Sequence, residues 1–201
     1  MDNTGNITEE QKKLKDHSIY VMVSLTGTIP SKMIRRRMDG EYAHVSISLD
    51  RQLHHMYSFG RLYKYFIQPG GLVHELPDRN VYTRFPHTKC RIYEVKVTEE
   101  QYKEAVRMLQ KFWSVRKKLV YNNVGLLAAN FNRHPDFPNA YYCSQFVGRV
   151  LQHIGVDFTN KNYRETDVLD FVDAQGFEVI YEGELRDYWN RYCVTEGYSR
   201  Y

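Results

Sequence analysis

Apolar positions along the chain change their period near residue 98. Before it they run together or alternate. Residues 19–25 (IYVMVSL) form a short, β-branched apolar run, 42–49 (YAHVSISL) alternate, and 56–59 (MYSF) read as a return strand across the polar connection 50–55. Residues 91–97 (RIYEVKV) alternate again, while Gly70-Gly71, Pro77 and Pro86 mark loops. From Thr98 the period lengthens. Thr98 with Gln101 three residues on is a capping box, and Tyr102, Ala105, Val106, Leu109, Phe112, Trp113 and Arg116 follow as a core-facing helical stripe. Residues 124–131 (VGLLAANF) predict a short helical piece within a loop-rich stretch. A second helix is expected over 142–154, stopped by Gly155. Thr166 is expected to cap a shorter one over 166–175, ended by Gly176, and 177–181 (FEVIY) predict a last strand. The pattern implies an α+β fold, an antiparallel sheet with helices packed on one face. It divides into an N-terminal arm (1–17), one domain (18–190) and a C-terminal tail (191–201).

Composition narrows the functional classes. The chain has 201 residues, 42% of them hydrophobic and 26% charged, which suits one packed domain and excludes wholesale disorder. Its net charge of +4 is too balanced for a nucleic-acid footprint. The short runs Arg35-Arg36-Arg37 and Arg116-Lys117-Lys118 read as solvated faces, although the first also suits steering of an acidic substrate. No window approaches the ~18 consecutive apolar residues of a membrane span. The N-terminus is acidic before it is basic, unlike a secretory signal, so the expectation is a cytoplasmic protein without an integral membrane segment. Cys90, Cys143 and Cys193 form no C-x-x-C, which indicates neither a disulfide framework nor a zinc site. Asp167, Asp170 and Asp173, spaced by three, read as solvated acids rather than a metal face. No metal or organic cofactor is expected.

One cysteine has a special setting. In YYCSQFVGRVLQHIGV, helical spacing puts Cys143, Phe146, Val147, Val150, Leu151 and Ile154 on one stripe, with Cys143 in the first turn. Unpaired N–H groups at a helix start stabilise a thiolate, and they also suit an oxyanion formed when that thiolate attacks a carbonyl. The plainer reading is that a free cysteine is a small buried hydrophobe. A nucleophile needs a base, and His44 stands out among eight histidines. It opens an alternating strand, with Ser46 and Ser48 on its own face and Val45, Ile47 and Leu49 on the other. Ser58 on the return strand is placed beside His44 as the group that orients the imidazole. Glu75, after the Gly-Gly turn, is the alternative.

The strand AHVSISLD, the return strand MYSFGR, the segment GGLVHE and the later YYCSQFVGRVLQHIGV together resemble the permuted NlpC-type papain-like cysteine hydrolases. These include the YiiX/YaeF-like group and, more distantly, the lecithin:retinol acyltransferase-like enzymes. The closing segment 179–188 (VIYEGELRDY) fits as well, so the resemblance spans roughly residues 18–190. It implies a circularly permuted papain-like fold in which the histidine precedes the cysteine, as here. It makes Cys143 the nucleophile, His44 its base and Ser58 the third position, where the family often carries Glu or another polar residue. It further implies a tyrosine near the thiol that helps hold the oxyanion: Tyr121 first, Tyr142 second. The implied activity is hydrolysis of an amide, ester or thioester through an acyl-thioenzyme, on a small-molecule, peptide or acyl-lipid substrate. The alternatives are acyl transfer to an amine or alcohol, and a binding module on the same scaffold with a decayed triad.

Overall fold

The structure, a computed structural model, describes residues 17–26, 42–63, 69–129, 131, 133, 135, 137–172 and 174–192. Arg35–Arg37, Cys193, Asp173, the arm before His17 and the tail after Tyr192 lie outside the described residues. The described chain is α+β. Six strands form one antiparallel sheet: β1 (His17–Leu25), β2 (His44–Ser48), β3 (Met56–Arg61), β4 (Gly70–Glu75), β5 (Lys89–Val97) and β8 (Phe177–Glu184), in the order β4-β3-β2-β1-β5-β8. A two-stranded parallel ribbon joins β6 (Val120–Tyr121) to β7 (Ala140–Tyr141). The helices are α1 (Asn80–Arg84), α2 (Glu99–Ser114), α3 (Asn123–Ala129), α4 (Cys143–His153) and α5 (Leu185–Tyr192).

Alternation sorts the sheet into two faces, and both are covered. Ile19, Val21 and Val23 of β1 join Val45, Ile47, Tyr93 and Val95 in a core under α2 and α4. The intervening residues Met22, Met56, Cys90 and Ile92 meet Tyr82 of α1 and Leu185 and Tyr188 of α5 in a second core. The expectation of helices on one face is therefore corrected. A half-solvated antiparallel sheet would alternate cleanly, whereas β1 at the centre needs apolar side chains both ways, hence its unbroken run.

The capping box at Thr98 is formed: Thr98 Oγ1 accepts from the Gln101 N–H at 3.2 Å and Gln101 Oε1 from the Thr98 N–H at 3.0 Å. The Gln101 amide also donates to the Ile154 carbonyl at 2.8 Å, tying the start of α2 to the end of α4. Ala105, Met108, Leu109 and Phe112 are the residues α2 buries, so Met108 belongs to the stripe and Trp113 lies at its exposed margin. Three expectations need correction. Gly70-Gly71 opens strand β4 instead of a loop. The helix expected over 166–175 is only a 3₁₀ turn, Leu169–Phe171. Thr166 does not cap it, because its hydroxyl turns back to the Ser144 and Tyr163 carbonyls.

Candidate active site

His44 is the first residue of β2, and Cys143 is the first residue of α4, whose N-terminal half packs on β2 and β3. Tyr142 precedes the helix in extended conformation (φ −103°, ψ 171°), and its N–H donates to Gln145 Oε1 at 3.3 Å. Ser144 is fixed by its hydroxyl, which donates to the Thr166 carbonyl at 2.7 Å. These contacts hold the first turn in place while its leading N–H groups have no acceptor within the helix. Cys143 is 5% exposed.

The His44 ring interacts with the Cys143 thiol and is hydrogen-bonded through Nε2 to Glu75 Oε1 at 3.0 Å. With Nε2 committed to a carboxylate, Nδ1 is the nitrogen left to take a thiol proton. Glu75 ends β4, two strands away from β2, and is 7% exposed. Its carboxylate also accepts from Ser58 Oγ on Oε1 at 2.7 Å, and from Ser46 Oγ at 2.6 Å and the Tyr82 hydroxyl at 3.0 Å on Oε2. Ser46, Ser58 and Tyr82 are all buried. Burial alone would push the Glu75 carboxyl up, but the imidazolium and the hydroxyl donors outweigh it and hold it well below its usual range. Burial likewise works against charge on His44, and the Glu75 carboxylate and the Cys143 sulfur reverse that, raising the imidazole above its ordinary value.

Among the expected site residues, Cys143 and His44 are brought together. Ser58 is not the imidazole's partner: its hydroxyl donates to Glu75, and Glu75 is the carboxylate that bonds the imidazole. Ser58 does lie on the face that its strand alternation predicts. Ile47 pairs with Tyr57 and Ser48 with Met56, which keeps Ser58 on the side of Ser46 and His44. What intervenes is a longer side chain from one strand further out. Tyr121, on the β6 strand that pairs with β7 just before α4, is near enough to Cys143 and Tyr142 for their charges, after burial itself, to raise its phenol well above the usual value. It is therefore a neutral O–H donor at neutral pH. Tyr142 departs from expectation: its hydroxyl donates to the Arg164 carbonyl at 3.3 Å, an oxygen shared with the Gln145 amide. Tyr82, on a five-residue helix with no periodic signal, is the member of the cluster that the sequence reading did not contain.

Cys90 has the opposite setting. It is fully buried among apolar neighbours, and burial with the nearby Glu182 pushes its thiol up to about 12. Among the described residues no group of three or more His, Cys, Asp or Glu side chains is arranged to hold a metal ion. Asp167 accepts from the Leu169 and Asp170 N–H groups, and Asp170 meets Lys161 at 2.7 Å. No described helix is long and apolar enough to cross a membrane. No family model, curated protein or solved structure matches the chain.

Proposed function

We propose that the chain is a thiol hydrolase of permuted papain-like type, with Cys143 as nucleophile, His44 as base and Glu75 as the group that orients His44. The observation that carries the reading is the continuous chain of contacts from the Cys143 thiol through the His44 ring to the buried Glu75 carboxylate. A thiol, an imidazole and a carboxylate in that order are what nucleophilic acyl transfer needs.

In the proposed cycle the Cys143 proton rests on His44 Nδ1, and the sulfur attacks the substrate carbonyl carbon as a thiolate. The new C–S bond leaves an oxyanion facing the Cys143 N–H and the Tyr121 hydroxyl. The imidazolium, stabilised by Glu75, returns its proton to the departing amine, alcohol or thiol, and an acyl-thioenzyme remains. His44 then deprotonates a water, which attacks the same carbon and releases the acid and the free thiol.

The test is intact-mass profiling with amide, ester and thioester acyl probes. Wild type is expected to gain one acyl adduct, which Cys143→Ala loses entirely and His44→Ala forms far more slowly, by about a hundredfold or more. An adduct that persists in Cys143→Ala, or that maps to Cys90, overturns the assignment.

A further inference from the structure

Among the described residues, a run of exposed apolar side chains follows directly on Tyr121. Val124, Leu127 and Phe131 recur at i, i+3 and i+7 along α3 and the residue pair just past it, the spacing that normally faces a core. Here it faces solvent: they are 61%, 55% and 72% exposed, while the buried position on that helix is Gly125. The stripe springs directly from the site. Asn122, next to Tyr121, donates its N–H to the Tyr141 carbonyl, and its side chain accepts from the Gly125 N–H. On the same ribbon Val120 is exposed and hydrogen-bonds through its N–H to the Asn139 carbonyl, beside the turn that carries exposed Phe137.

Charge is sorted in the same direction. Between Ala105 and Val156 the sequence holds seven Lys or Arg residues and a single acid, Asp136. Arg116, Lys117, Lys118 and Arg133, which bracket the stripe, are all exposed. The acids Glu178, Glu182, Glu184 and Asp187 sit at the opposite edge of the sheet, on β8 and α5.

We infer that this face docks reversibly on an anionic lipid bilayer, with the α3 stripe entering the headgroup boundary and the basic residues around it meeting lipid phosphates. An outward apolar stripe flanked by cations is the composition of an interfacial segment. A short stripe binds weakly alone, which is why both signals are needed. Aliphatic Val124 and Leu127 offer no ring for stacking on nucleic-acid bases. Self-association through this face would gather Arg116, Lys117 and Lys118 of both copies into one interface, where like charges repel. The docking surface would present the proposed hydrolase to substrate at a membrane, yet binding requires no chemistry and is measured equally well on Cys143→Ala.

The experiment is vesicle co-sedimentation of the full chain with phosphatidylcholine vesicles and with phosphatidylcholine–phosphatidylglycerol vesicles. Binding is expected on the anionic vesicles, weakened by high salt. Leu127→Asp combined with Phe131→Asp should reduce it by about tenfold or more, and Lys117→Glu with Lys118→Glu should do the same. Leu169→Asp, at an exposed apolar residue elsewhere, should leave it unchanged. Thermal melting of each variant establishes that it is folded. Absence of binding to both vesicles, or equal binding by folded stripe variants, overturns the inference. So does a wild-type dimer that Leu127→Asp disperses, or a preference for single-stranded nucleic acid over vesicles. Vesicle binding without probe acylation would separate this surface from the failure of the proposed chemistry.

Discussion

Glu75 accepts four hydrogen bonds on two oxygens, from His44, Ser46, Ser58 and Tyr82, in a site nearly closed to water. Such a carboxylate cannot rotate without abandoning donors, so it fixes the direction in which the imidazole points. Its partnership with His44 has a pH signature. The imidazole is raised above 6.5 in the folded chain, so its share of stability is complete below 6.5 and is lost as pH rises through the folded value. The carboxyl is lowered below 4.5, so its share is complete above 4.5 and is lost as pH falls through the folded value. Glu75→Gln should therefore cost most between pH 4.5 and 6.5. Removing one partner of a buried ion pair costs about 3–5 kcal/mol. Ser58→Ala should cost only about 1–3 kcal/mol, the loss of one donor to a buried acceptor, and keep the pH signature. Denaturant unfolding of the three chains across pH decides this. A Glu75→Gln deficit that is flat with pH would refute the pairing.

At the scale of elements, the parts legible in the sequence are those with a local period or a local cap. β1, β2, β3, β5 and β8, the Thr98-capped helix and the Cys143 helix were all foreseeable from spacing, with ends shifted by a few residues. β4 was not, because Gly70 and Gly71 are turn residues by local preference, and their reason here is tertiary. A Cβ at Gly70 would lie 2.8 Å from the Tyr121 Cβ and 3.0 Å from the Gly60 carbonyl oxygen. The glycine lets β6, with Tyr121, cross close to β4. Glu75 is not legible from spacing for a related reason: its contact with His44 spans an intervening strand, and strand order cannot be read from periodicity. Thr166 carried a genuine cap signal that a distant carbonyl captured. Gly70→Ala should accordingly destabilise by about 1–3 kcal/mol through overpacking. Gly71→Ala should cost less, since its nearest neighbour would be the Leu119 carbonyl oxygen at 3.3 Å. Thermal melts of the two variants compare them, and the reverse order would mean that β6 is not held against β4 at Gly70.

For the molecule as a whole, the consequence of a sheet covered on both sides is that the candidate site draws on both cores. Cys143 belongs to the core beneath α2 and α4, while Tyr82, which holds Glu75, belongs to the core beneath α1 and α5. His44, at the end of β2, joins them. Strands β1 and β5 are common walls of the two cores, so neither core can lose its packing without exposing the back of the other, and unfolding should be a single transition. Tyr188 tests this from the far side. It is fully buried, packs on Tyr181 and Tyr192, and donates its hydroxyl to the Arg51 carbonyl at 2.7 Å, pinning α5 to the β2–β3 connection. Tyr188→Phe should cost about 1 kcal/mol, the net worth of one hydrogen bond. Tyr188→Ala should cost about 3–5 kcal/mol through the cavity left behind. Urea unfolding of Tyr188→Ala followed by tryptophan fluorescence and by far-ultraviolet circular dichroism should give coincident curves shifted to lower denaturant. Two separated transitions would mean that the α1/α5 layer melts on its own, and that the clamp on Glu75 can be lost while the Cys143 core stays folded.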